Sequence, residues 1–186
     1  TDISTLPCGL NVVPCQGNYG LKTIGTGIIN SSTPYAGLNN DGRMQMLFRA
    51  SELQAQGMGA GTITDVAFNI SQHSSSIPYS GFTIRMGCTE LNSLTDFVPG
   101  LPVVLTDPLF VPSGTGWNNH NLNTPYDWDG QSNLIVEVCF DNSSHSLNDV
   151  VNCSGTGYNS VVFDVAGNIP GCDLNTPSTN QFRPNI

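Results

Sequence analysis

The sequence predicts an all-β protein, a jelly-roll-like antiparallel β-sandwich with one short helix near residues 51–57. Three observations lead there. Charged residues make up only 10 % of the 186, against about a quarter in ordinary soluble domains. Helical surfaces need many Lys, Glu and Arg, whereas sheets can be clothed in Ser, Thr and Asn. Gly (20) and Pro (12) are plentiful, and apolar residues alternate in short runs broken by turn signals, the period of strands rather than helices.

Taken in order, residues 1–19 have no place in that pattern and read as an N-terminal arm; residues 20–186 read as one sandwich domain. Within the arm, "CGLNVVPC" closes a short loop if Cys8 and Cys15 bridge. Lys22 to Ile29 reads as a strand, followed by a long loop rich in Gly and Asn. Met44, Met46 and Phe48 alternate, so a strand is expected over 43–49. Ser51 then offers an N-cap with Gln54 three residues on, and Gly57 is placed as a stop. Ile63, Val66, Phe68 and Ile70 alternate for the most part. Phe82, Ile84, Met86 and Cys88 share one face of the next strand, with Thr83 and Arg85 on the other.

"LPVVLTDPLFV" is extended, and its prolines assign it to a sheet edge or a bent strand. "GWNNHNLNTPYDW" sets Trp117, Asn119 and Asn121 against Asn118, His120 and Leu122. "NLIVEVCF" points Leu134, Val136, Val138 and Phe140 inward; Val161 to Val165 and the terminal "NQFRPNI" supply the last strands. Eight to ten short strands with one core fit a sandwich.

Six cysteines in a chain poor in Lys and Glu point to an oxidising compartment. Cys139 lies opposite the inward face of its strand, whereas Cys88 lies on the inward face of its own, so the two should not meet across a ladder. Of the three pairings open to the remaining four, the one taken is Cys139 with Cys172 and Cys88 with Cys153.

The formal net charge is −9 with five Lys plus Arg, which excludes a basic nucleic-acid surface. No apolar run approaches the roughly 20 residues of a membrane span. Three acidic turns concentrate oxygen ligands: Asp41 in "NNDG", Asp127 and Asp129 in "DWDG", and Asp141 in "FDNSS". Ca²⁺ is the ion such turns would hold if they converge at one end of a sandwich, since it takes six to eight oxygens. Asp-Gly and Asn-Asp-Gly are equally the chemistry of tight turns, and that reading weighs more. Trp117, Tyr126 and Trp128 would make an aromatic platform for sugar rings; the alternative is that the tryptophans cap the core. Sequons stand at Asn30, Asn69, Asn142 and Asn152. His73 and His145 sit in Ser-rich turns, His120 on a strand, and no nucleophile elbow or phosphate loop accompanies them. A catalytic role is therefore not expected.

The blocks "NDGRMQMLFRASELQAQGMGAGTITDVAFNIS", "FTIRMGCTE", "GWNNHNLNTPYDWDGQSNLIVEVCFDNSS" and "RPNI", in that order, resemble a β-sandwich module of secreted Bacteroidota surface proteins exported by the type IX system. The resemblance runs from about residue 20 to 186 and implies a non-catalytic extracellular module for adhesion or structure. The Cys8/Cys15 segment is not part of that module, and the chain ends where the module runs a few residues further. The function expected is thus a structural or adhesive surface protein whose partners are other copies of itself or other surface proteins. It would assemble by strand or arm exchange. A carbohydrate-binding module, and more remotely a glycoside or ester hydrolase, are the alternatives.

Overall fold

Each alternating run becomes one rung of a ladder. The computed structural model describes residues 20–31 and 33–186; the arm, with its Cys8–Cys15 pair, lies outside the described residues. The strands are β1 (Ile29–Asn30), β2 (Asp41–Phe48), β3 (Gly61–Gln72), β4 (Tyr79–Thr89), β5 (Val103–Phe110), β6 (Gly116–Trp128), β7 (Asn133–Asp141), β8 (Val150–Gly155), β9 (Val161–Ala166), β10 (Ser178–Asn180) and β11 (Phe182–Pro184). A helix, α1 (Ala50–Ala55), and a 3-10 turn, Gly171–Asp173, complete the elements.

All pairings are antiparallel. One sheet runs β10-β9-β2-β7-β4-β5 and the other β1-β8-β3-β6, with β11 also paired to β8. This is the all-β sandwich the sequence predicts. Met44, Met46, Phe48, Phe82, Ile84, Met86, Leu134, Val136, Val138 and Phe140 face Val66, Phe68, Ile70, Val151 and Cys153 in one buried core. Alternation in β3 breaks because its register with β6 shifts between Ile63 and Asp65, a bulge that resets which face the side chains take.

Two expectations change. The strand expected over Lys22 to Ile29 shrinks to β1: Ile24 exchanges backbone hydrogen bonds with Ile186, and Gly27 bonds side chains, its N–H donating to Ser154 Oγ and its carbonyl accepting from Asn185 Nδ2. Helix α1 starts one residue earlier than expected. Arg49, not Ser51, is its N-cap, and its backbone N–H donates to Glu52 Oε2 at 2.8 Å. The stop at Gly57 forms as expected: φ is +76°, its N–H donates to Gln54 O at 2.8 Å, and Met58 N–H donates to Leu53 O at 3.1 Å, the paired bonds of a Schellman end.

The six-stranded sheet is buried on its outer face as well. Residues 90–102 strap across it, packing Leu94 and Phe97 on Leu47, Ile135 and Val162. Under the strap Glu137, fully buried, accepts from Arg85 (2.7 Å) through Oε1, and from Arg43 Nε (2.9 Å) and Gln45 Nε2 (2.6 Å) through Oε2. Gln45 also ties down the strap, donating to Val98 O and accepting from Val98 N–H. Cys139 projects to this same face and bonds Cys172 in the 3-10 turn, the partner taken for it from the two pairings that parity left open. At the other end of the chain Arg183 of β11 is buried over the Phe48 ring at 4.0 Å and donates to Glu52 at 2.9 Å. Partial burial pushes the Glu52 carboxyl up, and the Arg183 guanidinium with its hydrogen bonds more than offsets that, holding it below the ordinary range.

Candidate functional site

Where the two sheets meet at their edges, the sandwich is closed on one side and open on the other. On the closed side β5 lies against β6, and Asn123 Oδ1 accepts from Thr106 N–H at 2.8 Å. On the open side the edge strands are short: β1 has two residues, and β10 covers only Val161–Phe163 of β9. Past β10, Asp164 holds the chain through a side-chain bond from Thr176 N–H at 2.7 Å. A groove of about 170 Å³ opens there. Met44, Phe140, Phe163 and Val165 form its apolar wall, and Thr33 and Asn148 stand on its lip. Gly42 shares the wall because a Cβ there would meet the Phe140 ring. Asn180 Nδ2 donates to Ser31 Oγ at 3.1 Å across the seam. Beside it Ile28 is 83 % and Ile29 43 % exposed at β1, whose partner among the described residues is β8.

The acidic turns do not converge. Asp41 and Asp141 are directly opposite across β2 and β7, at the end of the sandwich where β2 begins. Asp127 and Asp129 lie at the other end, where β6 pairs with the start of β3. Among the described residues no three His, Cys, Asp or Glu side chains come together as a metal-binding group. Burial first, and then the hydrogen bond and charge of neighbouring Asp141, raise Asp41 to about 6. Asp127 accepts from Thr62 Oγ1 at 2.6 Å. Asp129 accepts from Gln131 N–H, Ser132 N–H and Ser132 Oγ, which lowers its pKa, the serine hydroxyl contributing most. Gly130 has φ +77°, and a Cβ there would strike Ala60. "DWDG" is thus the turn that launches β7.

The three-aromatic platform does not form either. Trp128 is 2 % exposed and belongs to the core, its indole N–H donating to Ser132 O at 2.9 Å. Tyr126 is half-buried and reaches Cys88 Sγ at 3.3 Å. Trp117 is 46 % exposed at the opposite end of β6, paired with Asn69. Nearby on the same outer face, Asn119 Nδ2 donates to Asp65 Oδ1 and Asn121 Oδ1.

Cys88 and Cys153 are not bonded to each other, which corrects that pairing: Cys88 is exposed at the end of β4, and Cys153 is buried in β8 of the other sheet. Of the sequon asparagines, Asn142 is buried and its Oδ1 accepts from Ser80 N–H at 2.7 Å, so it is closed to modification in the fold. Asn30 faces Asn152 across β1 and β8, and Ile70 opposite Val151 puts Asn69 beside them.

His120 is 3 % exposed, stacked on Phe82 and bonded to Tyr35 Oη at 2.7 Å; burial lowers its pKa to about 4. Asp149, which the sequence reading passed over, is fully buried. It accepts from Ser74 N–H, Ser75 N–H, Ser75 Oγ and Tyr79 Oη, and pairs with His73 Nδ1 at 2.9 Å. Burial first, and then this carboxylate, raise the Tyr79 pKa. Its position in "SLNDVV", among turn residues just before a strand, was the signal available. These groups fasten the 73–76 turn to the core. His145 remains in its turn outside the strands.

Comparison with known family models, curated proteins and solved structures returns no match. Among the described residues no helix is long and apolar enough to cross a membrane.

Proposed function

We propose that this chain is a non-catalytic structural or adhesive protein of the extracellular surface, which self-assembles through the open seam of its sandwich. The observation that carries this reading is the seam itself. Among the described residues its sheet edges are short and without a further strand, and such edges beside apolar side chains are templates for another strand; addition of an extended segment to a sheet edge is a common mode of protein association. The disulfide between Cys139 and Cys172 supports an oxidising location, as does the likeness to secreted Bacteroidota surface modules. Sedimentation velocity of the full chain over a wide concentration range tests the reading. Species larger than 19.8 kDa that grow with concentration are expected; a single species of that mass throughout would refute it.

A second reading, sugar binding, moves to the outer face of the five-stranded sheet. Exposed Trp117 with Asn119, Asn121 and Asp65 offers a ring to stack on and amide and carboxylate groups for hydroxyls. Binding to a polysaccharide panel that disappears in Trp117→Ala would favour it; a blank panel would remove it.

A further inference from the structure

We infer that the outer face of the five-stranded sheet holds a neutral polysaccharide, laid across the strands along a row made by Trp117, Asn69, Asn152 and Asn30. The inference rests on the sugar-binding reading above and adds the class of ligand and the direction in which it runs.

Register makes the row. Asn69 is opposite Trp117 across β3 and β6, and Asn30 is opposite Asn152 across β1 and β8. Ile70 opposite Val151 sets Asn69 beside Asn152. Strands β1, β8, β3 and β6 are neighbours in that order, so each gives one side chain to a single line. Parity turns the line outward. Asn69 stands between Phe68 and Ile70, and Asn152 between Val151 and Cys153, all four of them in the core. Trp117 precedes Asn118, which is buried. With neighbouring strands about 4.8 Å apart, the line runs roughly 14 Å.

The chemistry of the row selects its occupant. At one end the Trp117 ring, 46 % exposed, is a plate on which the C–H face of a sugar ring can stack. Along the rest, each asparagine amide both donates and accepts, as hydroxyl groups require. Ser71 Oγ donates to Asn30 Oδ1 at 3.0 Å and so fixes that amide. Among the described residues the side-chain amides of Asn69 and Asn152 have no hydrogen-bond partner, which leaves them for a ligand. No member of the row is charged. Asp65, on the same face of β3, has its oxygens engaged by Asn119 Nδ2 at 3.2 Å and Thr64 Oγ1 at 2.6 Å. The net charge of −9 repels acidic polymers, so the ligand is neutral. One amide per strand beyond a stacking plate suits a chain of repeating sugars better than a single one.

The row also bears on the sequons, since Asn30, Asn69 and Asn152 are three of the four. Glycans attached to adjacent strands about 4.8 Å apart would overlap. A sugar chain bound across the row fits that spacing, and three chains attached to it do not.

The test uses the full chain from a host that does not glycosylate asparagine. It is mixed with cellulose, xylan and mannan, and then titrated with short and long soluble oligosaccharides of whichever polymer binds. Binding should be tighter for the long oligosaccharides and unmoved by added salt. Trp117→Ala should weaken it about tenfold or more. Asn152→Ala should weaken the long oligosaccharides about fivefold, the worth of one hydrogen bond, and leave the shortest unaffected. Circular dichroism melts check that each variant is folded; if Asn152→Ala is not, Asn30→Ala at the exposed end of the row replaces it, with the same outcomes. Binding that needs Trp117 but is equal for short and long oligosaccharides and indifferent to Asn152→Ala overturns the row while leaving sugar binding at Trp117 standing. Binding confined to an acidic polysaccharide, and lost as salt rises, overturns the neutral ligand. A folded wild-type chain that binds no polysaccharide removes the sugar-binding reading itself.

Discussion

Replacing Glu137 by Gln should be one of the most damaging conservative changes in this protein. The carboxylate is fully buried and gathers hydrogen bonds from Arg43, Arg85 and Gln45. Glutamine keeps the volume and removes the charge. It also turns one of two acceptor oxygens into a donor, which then faces guanidinium or amide N–H groups. Arg43 side-chain exposure is 10 %, so its charge loses its partner with little water to replace it. Breaking a buried pair in this way costs about 3–5 kcal/mol. In a chain of this size each kcal/mol lowers Tm by about 2–4 °C, so a fall of roughly 6–20 °C is expected in a calorimetric melt. The damage should extend to the 90–102 strap, because Gln45 grips both Glu137 and Val98. Limited proteolysis should cut the variant inside the strap before the wild type. A loss under 1 kcal/mol with an equally protected strap would show that the outer face is held by Leu94 and Phe97 alone.

Three further outcomes are expected. His120, lowered to about 4 by burial, takes its proton later than in the unfolded chain, where the value is about 6.5. Its stabilisation is present above pH 6.5 and is lost as pH falls to about 4, by about 3 kcal/mol. Asp41, raised to about 6, acts with opposite sign, stabilising as pH falls through 6. The comparison therefore uses Asp41→Asn with and without Tyr35→Phe/His120→Phe, and denaturant titrations should find the acid-side loss missing from the triple variant; equal slopes would contradict it. Trp128→Ala should cost about 3–5 kcal/mol as a core truncation, and Trp117→Ala about 0.5 kcal/mol or less; comparable losses would mean that the burial of the two is wrongly understood. Cys139→Ala/Cys172→Ala opens a 33-residue separation and should lower stability by about 2–4 kcal/mol, seen as a lower urea midpoint; an unchanged midpoint would contradict the bridge's structural role.

What the sequence makes legible here is parity. β2, β4 and β7 alternate Met44/Met46/Phe48, Phe82/Ile84/Met86 and Leu134/Val136/Val138, and those residues do form the core. Parity also put Cys139 on the outer face, where Cys172 meets it. The same rule could have buried Trp128, which shares its parity with Asn118, His120 and Leu122, all buried. Outer-face burial was hidden, because Leu47, Ile135 and Val162 interrupt alternation only when the strap covers them. β8 was missed because "VVNCSG" turns only Val151 and Cys153 inward among polar residues. The dispersal of the acidic turns to two ends, and the groove, depend on strand order and on which edges face each other across the seam, information that local periodicity does not carry.

Cryo-electron microscopy of the assembled full-length chain is the most direct test of whether these sandwiches join through their seams. The prediction is a filament in which the neighbouring subunit covers the seam, at the groove walled by Phe163 and Val165 and at the exposed Ile28 and Ile29. A seam left bare within a filament joined by other surfaces would contradict it.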